Sequence, residues 1–160
     1  FFLVLSGRPT GNARAQCPVT LTRLAAVPGL RTAMFSILAP GKDIPPHEGL
    51  HAGLARVLLP LEVPAPPGSS ALRAGGDTRP FELGRALIFD DTFTHAAWNH
   101  GDGDRVVLFL DVLRPLPPVL ALLNRAVVLC WEASVLFGEP RRRLQGAAAG
   151  PAGSGRSPRD

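Results

Sequence analysis

Tyrosine is absent from this 160-residue chain and aromatic residues reach only 6%, whereas Gly and Pro number 17 each. That composition favours many short strands and turns over long helices. Cysteine is nearly absent too: Cys17 and Cys130 are the only two, and neither sits in a C-x-x-C pair. They exclude a disulfide framework and point to a reduced, cytoplasmic setting, with a single bridge left open. The start, Phe1-Phe2-Leu3-Val4-Leu5, lacks an initiator Met and a basic flank. It reads as the interior of a longer chain with further structure upstream, not as a signal peptide. A basic face for nucleic acid is not supported either. The formal charge is +4, but dropping five Arg and two acids from Glu139 onward leaves about +1.

What is present is enough apolar residue, 46%, for one domain with a real core but not two. Residues 1–31 form an N-terminal flanking segment in which Thr20–Val27 fits a short helix stopped by Pro28, with Pro18 suited to a first helical turn. Residues 32–114 are a procession of strand-like segments: Thr32–Leu38, Leu54–Val63, Ala71–Ala74, Thr78–Phe81, Arg85–Phe89, Thr94–Asn99 and Arg105–Leu113. Gly/Asp/Pro turns such as Gly75-Gly76-Asp77 separate them, and the turn at Gly101–Asp104 reads as a hairpin. Such spacing argues a β-sandwich or barrel.

Residues 115–138 change character. Leu116–Phe137 is strongly apolar and about long enough to span a bilayer, which takes roughly 20 residues. Arg125 and Glu132 would then lie inside the span at roughly 3 kcal/mol each. They are seven residues apart on one helical face, with Asn124 beside them. A helix packed on the domain, or lying on a membrane surface through residues 116–137, fits better than a spanning one. Residues 139–160 form a basic Gly/Ala/Pro/Ser-rich tail, expected to be disordered.

Chemistry concentrates on two histidines. His47 ends Ile44-Pro45-Pro46-His47, whose prolines stiffen the backbone ahead of the ring. His95 ends Phe89-Asp90-Asp91-Thr92-Phe93-Thr94-His95, where apolar and acidic residues crowd one imidazole. Two neutral imidazoles converging in a barrel mouth suit Fe(II), although a lone His is more often a hydrogen-bonded structural residue. Asp90-Asp91 could cap the loop and orient the ring. Trp98 reads as core.

Two blocks carry a resemblance. The first is Ala33–Gly41 (AMFSILAPG) with Ile44-Pro45-Pro46-His47 and Gly49. The second runs from Arg79-Pro80-Phe81-Glu82 through Gly84–His95 (GRALIFDDTFTH) to Trp98-Asn99, Gly101-Asp102, Asp104–Leu108 and Asp111-Val112. Together, over roughly residues 15–125, they resemble the aspartyl/asparaginyl β-hydroxylase family.

The resemblance implies an all-β core, a double-stranded β-helix (cupin-like jelly roll) with flanking helices. It implies an Fe(II)- and 2-oxoglutarate-dependent dioxygenase that uses O2 to hydroxylate an unactivated carbon and releases succinate and CO2. His47 and His95 would bind the metal. Arg105 would clamp the distal carboxylate of 2-oxoglutarate, helped by Ser36, as a planar guanidinium can pair both oxygens. Arg56 would contact the cosubstrate or an acidic substrate, against the plainer reading of a surface strand arginine. Gly49 stands where most enzymes of this chemistry carry an Asp or Glu ligand, which leans toward the β-carbon of Asp or Asn in a peptide or protein as substrate. Leu113-Arg114-Pro115-Leu116-Pro117 and the apolar segment after it look instead like the lipid A 2-hydroxylase branch, and so toward an acyl chain at the inner face of a membrane. Leu58 replaces a His expected to hold the cosubstrate, with His51 a partial substitute, so a non-catalytic binding module stays open.

Overall fold

The computed structural model describes residues 1–49 and 51–137; the expected tail at 139–160 lies outside them. In chain order the elements are β1 (Phe2–Leu5), β2 (Arg8–Pro9), α1 (Gly11–Gln16), α2 (Pro18–Leu24), β3 (Leu30–Leu38), β4 (Lys42–His47), β5 (Leu54–Glu62), β6 (Ser70–Ala74), β7 (Asp77–Pro80), β8 (Leu87–Phe89), β9 (His95–Asn99), β10 (Arg105–Leu113) and α3 (Pro118–Phe137). One sheet has the order β2-β1-β3-β10-β5-β8 and the other β4-β9-β6-β7, all pairs antiparallel. Leaving out β1 and β2, the eight core strands alternate between the sheets in the order 1-8-3-6 facing 2-7-4-5. This is the double-stranded β-helix, a jelly roll.

Strand β10 shows how the fold arises. It is the centre of the larger sheet, flanked by β3 and β5. Arg105, Val107, Phe109 and Asp111 alternate onto the face turned to the other sheet, and Leu108 and Leu110 onto the opposite face. The inner face contributes Val107 to a cluster with Leu58, Leu72, Phe81 and Ala97. The outer face contributes Leu110 to a second cluster with Leu3, Val4, Ala13, Ala33 and Leu24. Burial on both faces explains the near-continuous apolar run.

The N-terminal segment supplies the outer layer. Thr10 caps α1, its Oγ1 accepting from Ala13 N at 3.2 Å. Pro18 opens α2, where its missing N–H costs no helical bond. This helix starts two residues ahead of the expected Thr20 and ends at Leu24. Strands β1 and β4 escape the sequence reading. Pro45 and Pro46 argue against a strand, but β4 is an edge, where a missing donor is tolerated.

Two expectations need correction. The turn after Asn99 is no hairpin: β9 and β10 lie in different sheets, so Gly101–Asp104 is a crossover between them. Buried Asn99 forms it, donating through Nδ2 to Leu38 O (2.7 Å) and Gly103 O (2.8 Å) and accepting from Gly101 N (3.0 Å). Trp98 alternates to the outer face of its sheet, half-buried and stacked on His100, and belongs to neither core cluster.

The last helix is anchored by its polar residues. Glu132 is buried and pairs with Arg31 of β3, whose Nε donates at 2.9 Å. Asn124 Nδ2 donates to Gly53 O at 2.8 Å, and Val128 is fully buried between them. Among the described residues no helix is long and apolar enough to cross a membrane. Cys17 and Cys130 are both free.

Removing one partner from a buried ion pair strands the other charge. Glu132→Ala is therefore expected to lower unfolding stability by about 3 kcal/mol, read as a shift of the urea midpoint. An unchanged midpoint would show that α3 is not held to β3 by this pair.

Candidate functional site

His47 and His95 face each other as paired residues of β4 and β9, their ring centroids 4.1 Å apart and their planes inclined at 53°. Both rings are fixed in the same way. Nδ1 of His47 donates to Pro45 O at 2.8 Å, and Nδ1 of His95 to Phe93 O at 2.9 Å. A carbonyl can only accept, so the proton sits on Nδ1 and each Nε2 keeps its lone pair for a ligand. The stiff Pro-Pro-His run gives His47 its acceptor. His95 is buried, at 5% exposure, with Phe89 edge-on at 5.1 Å. Burial lowers its pKa below 6.5, a tendency that the bond to Phe93 opposes and the neighbouring His47 reinforces. A neutral imidazole is the form that binds metal.

Among the described residues no group of three or more His, Cys, Asp or Glu converges as a metal cage. The nearest carboxylate arrangement is nevertheless specific. A Cβ built on Gly49 would collide with the carboxylate of Asp91, whose backbone O accepts from Gly49 N at 2.6 Å. The space of a side chain at Gly49, two residues after His47, is thus filled by Asp91 from another loop. Asp91 Oδ1 is buried and, among the described residues, has no hydrogen-bond partner.

Asp91 belongs to a charged cluster centred on Arg56. Its Oδ2 lies 2.9 Å from Nη2 of Arg56, whose Nε donates to Asp111 Oδ1 at 2.9 Å. The guanidinium also lies 4.4 Å over the Phe109 ring. Arg56 is therefore a bridge between two carboxylates, not a surface arginine. Burial raises the pKa of Asp111, and the bond from Arg56 opposes the rise. At the rim Arg114 pairs with Asp90 at 2.5 Å. Burial pushes Asp90 up, but its bonds from Arg114 and Thr92 outweigh this and leave its pKa below the usual value. Glu48 turns away from the histidines and accepts from Thr94 Oγ1 at 2.6 Å.

Arg105 occupies the same interior, further along β10. It is 2% exposed, and among the described residues its Nε and Nη2 have no hydrogen-bond partner. Its guanidinium lies over the Phe81 ring, 5.0 Å from the centroid. Burial lowers its pKa to about 10, so it remains a cation at neutral pH. Ser36 pairs across the sheet with Val107, which places it on the inner face diagonal to Arg105. From Arg105 to Phe109 the strand covers about 13 Å, lined by Val107 and by Leu58 on β5. Leu58, where a cosubstrate-binding His was expected, is a buried member of this apolar wall.

The structure thus brings His47 and His95 together and places Ser36 beside Arg105. His51 lies elsewhere: its Nδ1 accepts from Gly53 N at 2.8 Å and its ring is 6.0 Å from Trp131 of α3. Asp111, Phe81 and Arg114 were not singled out in the sequence, though an acid opposite Arg56 across the β5–β10 register was the available signal. The two histidine Nε2 atoms and the orphaned donors of Arg105 suit a divalent metal and an anionic ligand respectively.

The profile of the family described as aspartyl/asparaginyl beta-hydroxylase matches residues 1–115. The chain belongs to this family. It is similar to an ornithine lipid ester-linked acyl 2-hydroxylase from Rhizobium tropici, 42% identical over 128 residues, covering 80% of this chain and 46% of that protein. It is also similar to the human aspartyl/asparaginyl beta-hydroxylase, 33% identical over 120 residues, covering 72% of this chain and 16% of that one. The chain thus spans less than half the length of either relative. Among solved structures it is similar to a cupin protein from Bacteroides fragilis, with 16% identity and a TM-score of 0.44, covering 57% of this chain and 72% of that one.

Two outcomes follow from the family site as built here. Gly49→Ala is expected to destabilise the fold by about 2 kcal/mol, the usual cost of overpacking. In an Asp91→Ala background the same substitution should cost little, a coupling read from a double-mutant cycle. Additive losses would mean that the two residues do not share that space. The lowered pKa of His95 also has a sign. The unfolded chain binds this proton more readily, so stability is fully present above pH 6.5 and falls as the pH drops below it. His95→Gln should flatten that acid limb of the urea midpoint against pH; an identical limb would show that His95 does not cause it.

Proposed function

We propose that this chain is the catalytic core of an Fe(II)- and 2-oxoglutarate-dependent dioxygenase that hydroxylates a lipid acyl chain. The observation that carries the reading is Arg105. A buried guanidinium without an anionic partner is costly, by several kcal/mol, and a fold keeps one where an anion is to be received. A carboxylate meets that need, with Ser36 as a neighbouring donor and Phe81 behind the guanidinium. The apolar wall of Val107 and Leu58 suits the methylene chain of a dicarboxylate. Leu58 supplies no hydrogen bond, so Arg105 and Ser36 carry the recognition.

His47 and His95 would hold the iron, presenting Nε2 from rings locked by Pro45 O and Phe93 O. Iron with 2-oxoglutarate and O2 supplies the oxidising chemistry: one oxygen atom goes to succinate, CO2 is lost, and the other enters the C–H bond. The chain's own part is to bind and orient. Asp91, tied by Arg56, fills the space beside Gly49, so the two histidines would hold the metal without a third protein ligand. Phe89 and the barrel interior shield His95 from bulk water, while His47 stands exposed at the rim.

The acyl chain is favoured over the β-carbon of a peptide Asp or Asn, reversing the order suggested by Gly49. The support is the 42% identity to a lipid acyl 2-hydroxylase. The peptide reading rests on the human relative at 33%. Incubation with an acylated lipid and with an Asp-containing peptide separates them: the acyl reading expects one added oxygen in the lipid by mass spectrometry, and an oxygen gained only by the peptide overturns it.

The cofactor site is tested by anaerobic titration of Fe(II)-loaded protein with 2-oxoglutarate, following the weak visible charge-transfer band of the chelate. The parent should saturate. Arg105→Ala should raise the half-saturation concentration about a hundredfold, the loss of one strong charge-assisted pair, and His95→Ala should abolish the band. Folded parent with no band at any concentration would sink the dioxygenase reading.

A further inference from the structure

Helix α3 is amphipathic the wrong way round for a soluble protein. Asn124 and Glu132, with Val128 between them, turn toward the domain. The outward arc is Val119, Leu120, Leu122, Leu123, Val127 and Leu129, and Val119 and Leu122 are 80% and 73% exposed. At 100° per residue these six, together with Ala126 and Cys130, span about half of the helix circumference without a single charge. An exposed apolar surface of this extent marks an interaction site.

The charge around it selects the occupant. The N-terminal segment, which meets α3 through the Arg31–Glu132 pair, carries Arg8, Arg14, Arg23 and Arg31, and the chain has no acidic residue before Asp43. Turn residues Gly7 and Pro9, Leu21 and Leu24 of α2, and Arg31 line a cavity of about 350 Å³ together with Arg125 of α3, so these elements form one side of the molecule. Its one acid on α3, Glu132, is buried and neutralised by Arg31. Arg8, Arg14, Arg23 and Arg125 make no ion pair among the described residues. In sequence, Arg141-Arg142-Arg143 follow the helix.

The geometry points to this side as a docking surface for an anionic lipid bilayer, on which α3 lies flat with its apolar arc in the acyl boundary and the arginines at the phosphates. The inference deepens the lipid reading and rests on it for the choice of a bilayer over a protein. Its position supports that choice. Asn124 and Trp131 rest on the 51–53 segment that leads away from His47, and Gly53 has no side chain to keep Asn124 off. Arg114, four residues before α3, pairs with Asp90 in the loop leading to His95. The docked helix and the metal pair therefore sit at one end of the barrel, where an acyl chain leaving the bilayer would arrive.

The test is co-sedimentation of the full chain with vesicles of phosphatidylcholine alone and of phosphatidylcholine mixed with phosphatidylglycerol. The chain should pellet with the mixed vesicles and much less with the neutral ones. Leu123→Glu with Val127→Glu should cut that partitioning at least roughly tenfold, while Leu83→Glu, an exposed apolar site away from α3, should leave it unchanged. If the glutamate pair unfolds the chain by circular dichroism, Leu123→Ala with Val127→Ala carries the same expectation with a smaller fall. A chain that stays in the supernatant with both vesicles overturns the proposal. So does an equal loss from Leu83→Glu, or a dimer in sedimentation velocity that the α3 substitutions dissolve while vesicles go unbound. The 2-oxoglutarate band measured on the same samples keeps the two readings apart. A normal band without vesicle binding rejects the docking alone, and vesicle binding without a band leaves the docking standing and removes the dioxygenase.

Discussion

Arg56 is gripped by Asp111 from the neighbouring strand and by Asp91 from the loop that leads to His95. Much of the site hangs on that bridge. Asp111 belongs to the larger sheet, whereas the loop carrying Asp91 delivers the chain to the smaller one, so Arg56 ties the two layers together where they open. With Asp91 pinned, its carboxylate occupies the volume beside Gly49, its backbone O holds Gly49 N, and the turn after His47 is set. Asp90, next in the same loop, pairs with Arg114 and so fixes the exit of β10 toward α3. The histidines, the closing loop and the helix are thus positioned by one short chain of charges. Desolvation makes such a chain expensive, and the complete pairing of Arg56 is what makes it tolerable.

The same cluster explains the balance of charge on the proposed reading. Arg56 with its two carboxylates carries one net negative charge, and Arg105 further along the interior carries one positive. A divalent metal at the neutral histidines and a dicarboxylate at Arg105 add equal and opposite charges. Bound together they leave the interior as neutral as before; bound singly, either leaves two charges uncompensated in a poorly solvated space. The barrel accordingly favours the pair over either partner, with no contact between metal and arginine needed.

How far this was legible in the sequence varied with the range of the interaction. Strand β10 was read to the residue because burial on both faces makes it a continuous apolar run. The Gly75-Gly76 hairpin was read because its turn chemistry is local. The histidine pair was singled out through the motif around each ring, and its fixed tautomers follow from residues two positions away. Strand β4 was missed because its prolines are tolerated only at an edge, and edge position is a property of the sheet. The Asp91–Gly49 complementarity was illegible for a similar reason: a glycine in place of a ligand reads as an absence until another loop is seen to fill it. Arg56 was assigned to the site, but its actual partners come from the β5–β10 register and from a loop 35 residues on.

Helix α3 is the instructive case. The sequence placed Arg125 and Glu132 on one face with Asn124 beside them and left open whether the helix packs on the domain or lies on a membrane, since amphipathicity alone does not say what each face meets. The deciding residue, Arg31, lies 101 positions away. Once Glu132 is committed to it, rotation of the helix is no longer free: turning the apolar arc inward would bury leucines but would break the Glu132–Arg31 pair and strand its arginine. The ion pair contributes more by fixing this orientation than by its net stability, which for a buried pair is commonly small. An outward apolar face is then a consequence of how the helix is anchored, and on the proposed reading it is the feature by which a barrel of ordinary architecture meets a substrate that does not dissolve in water.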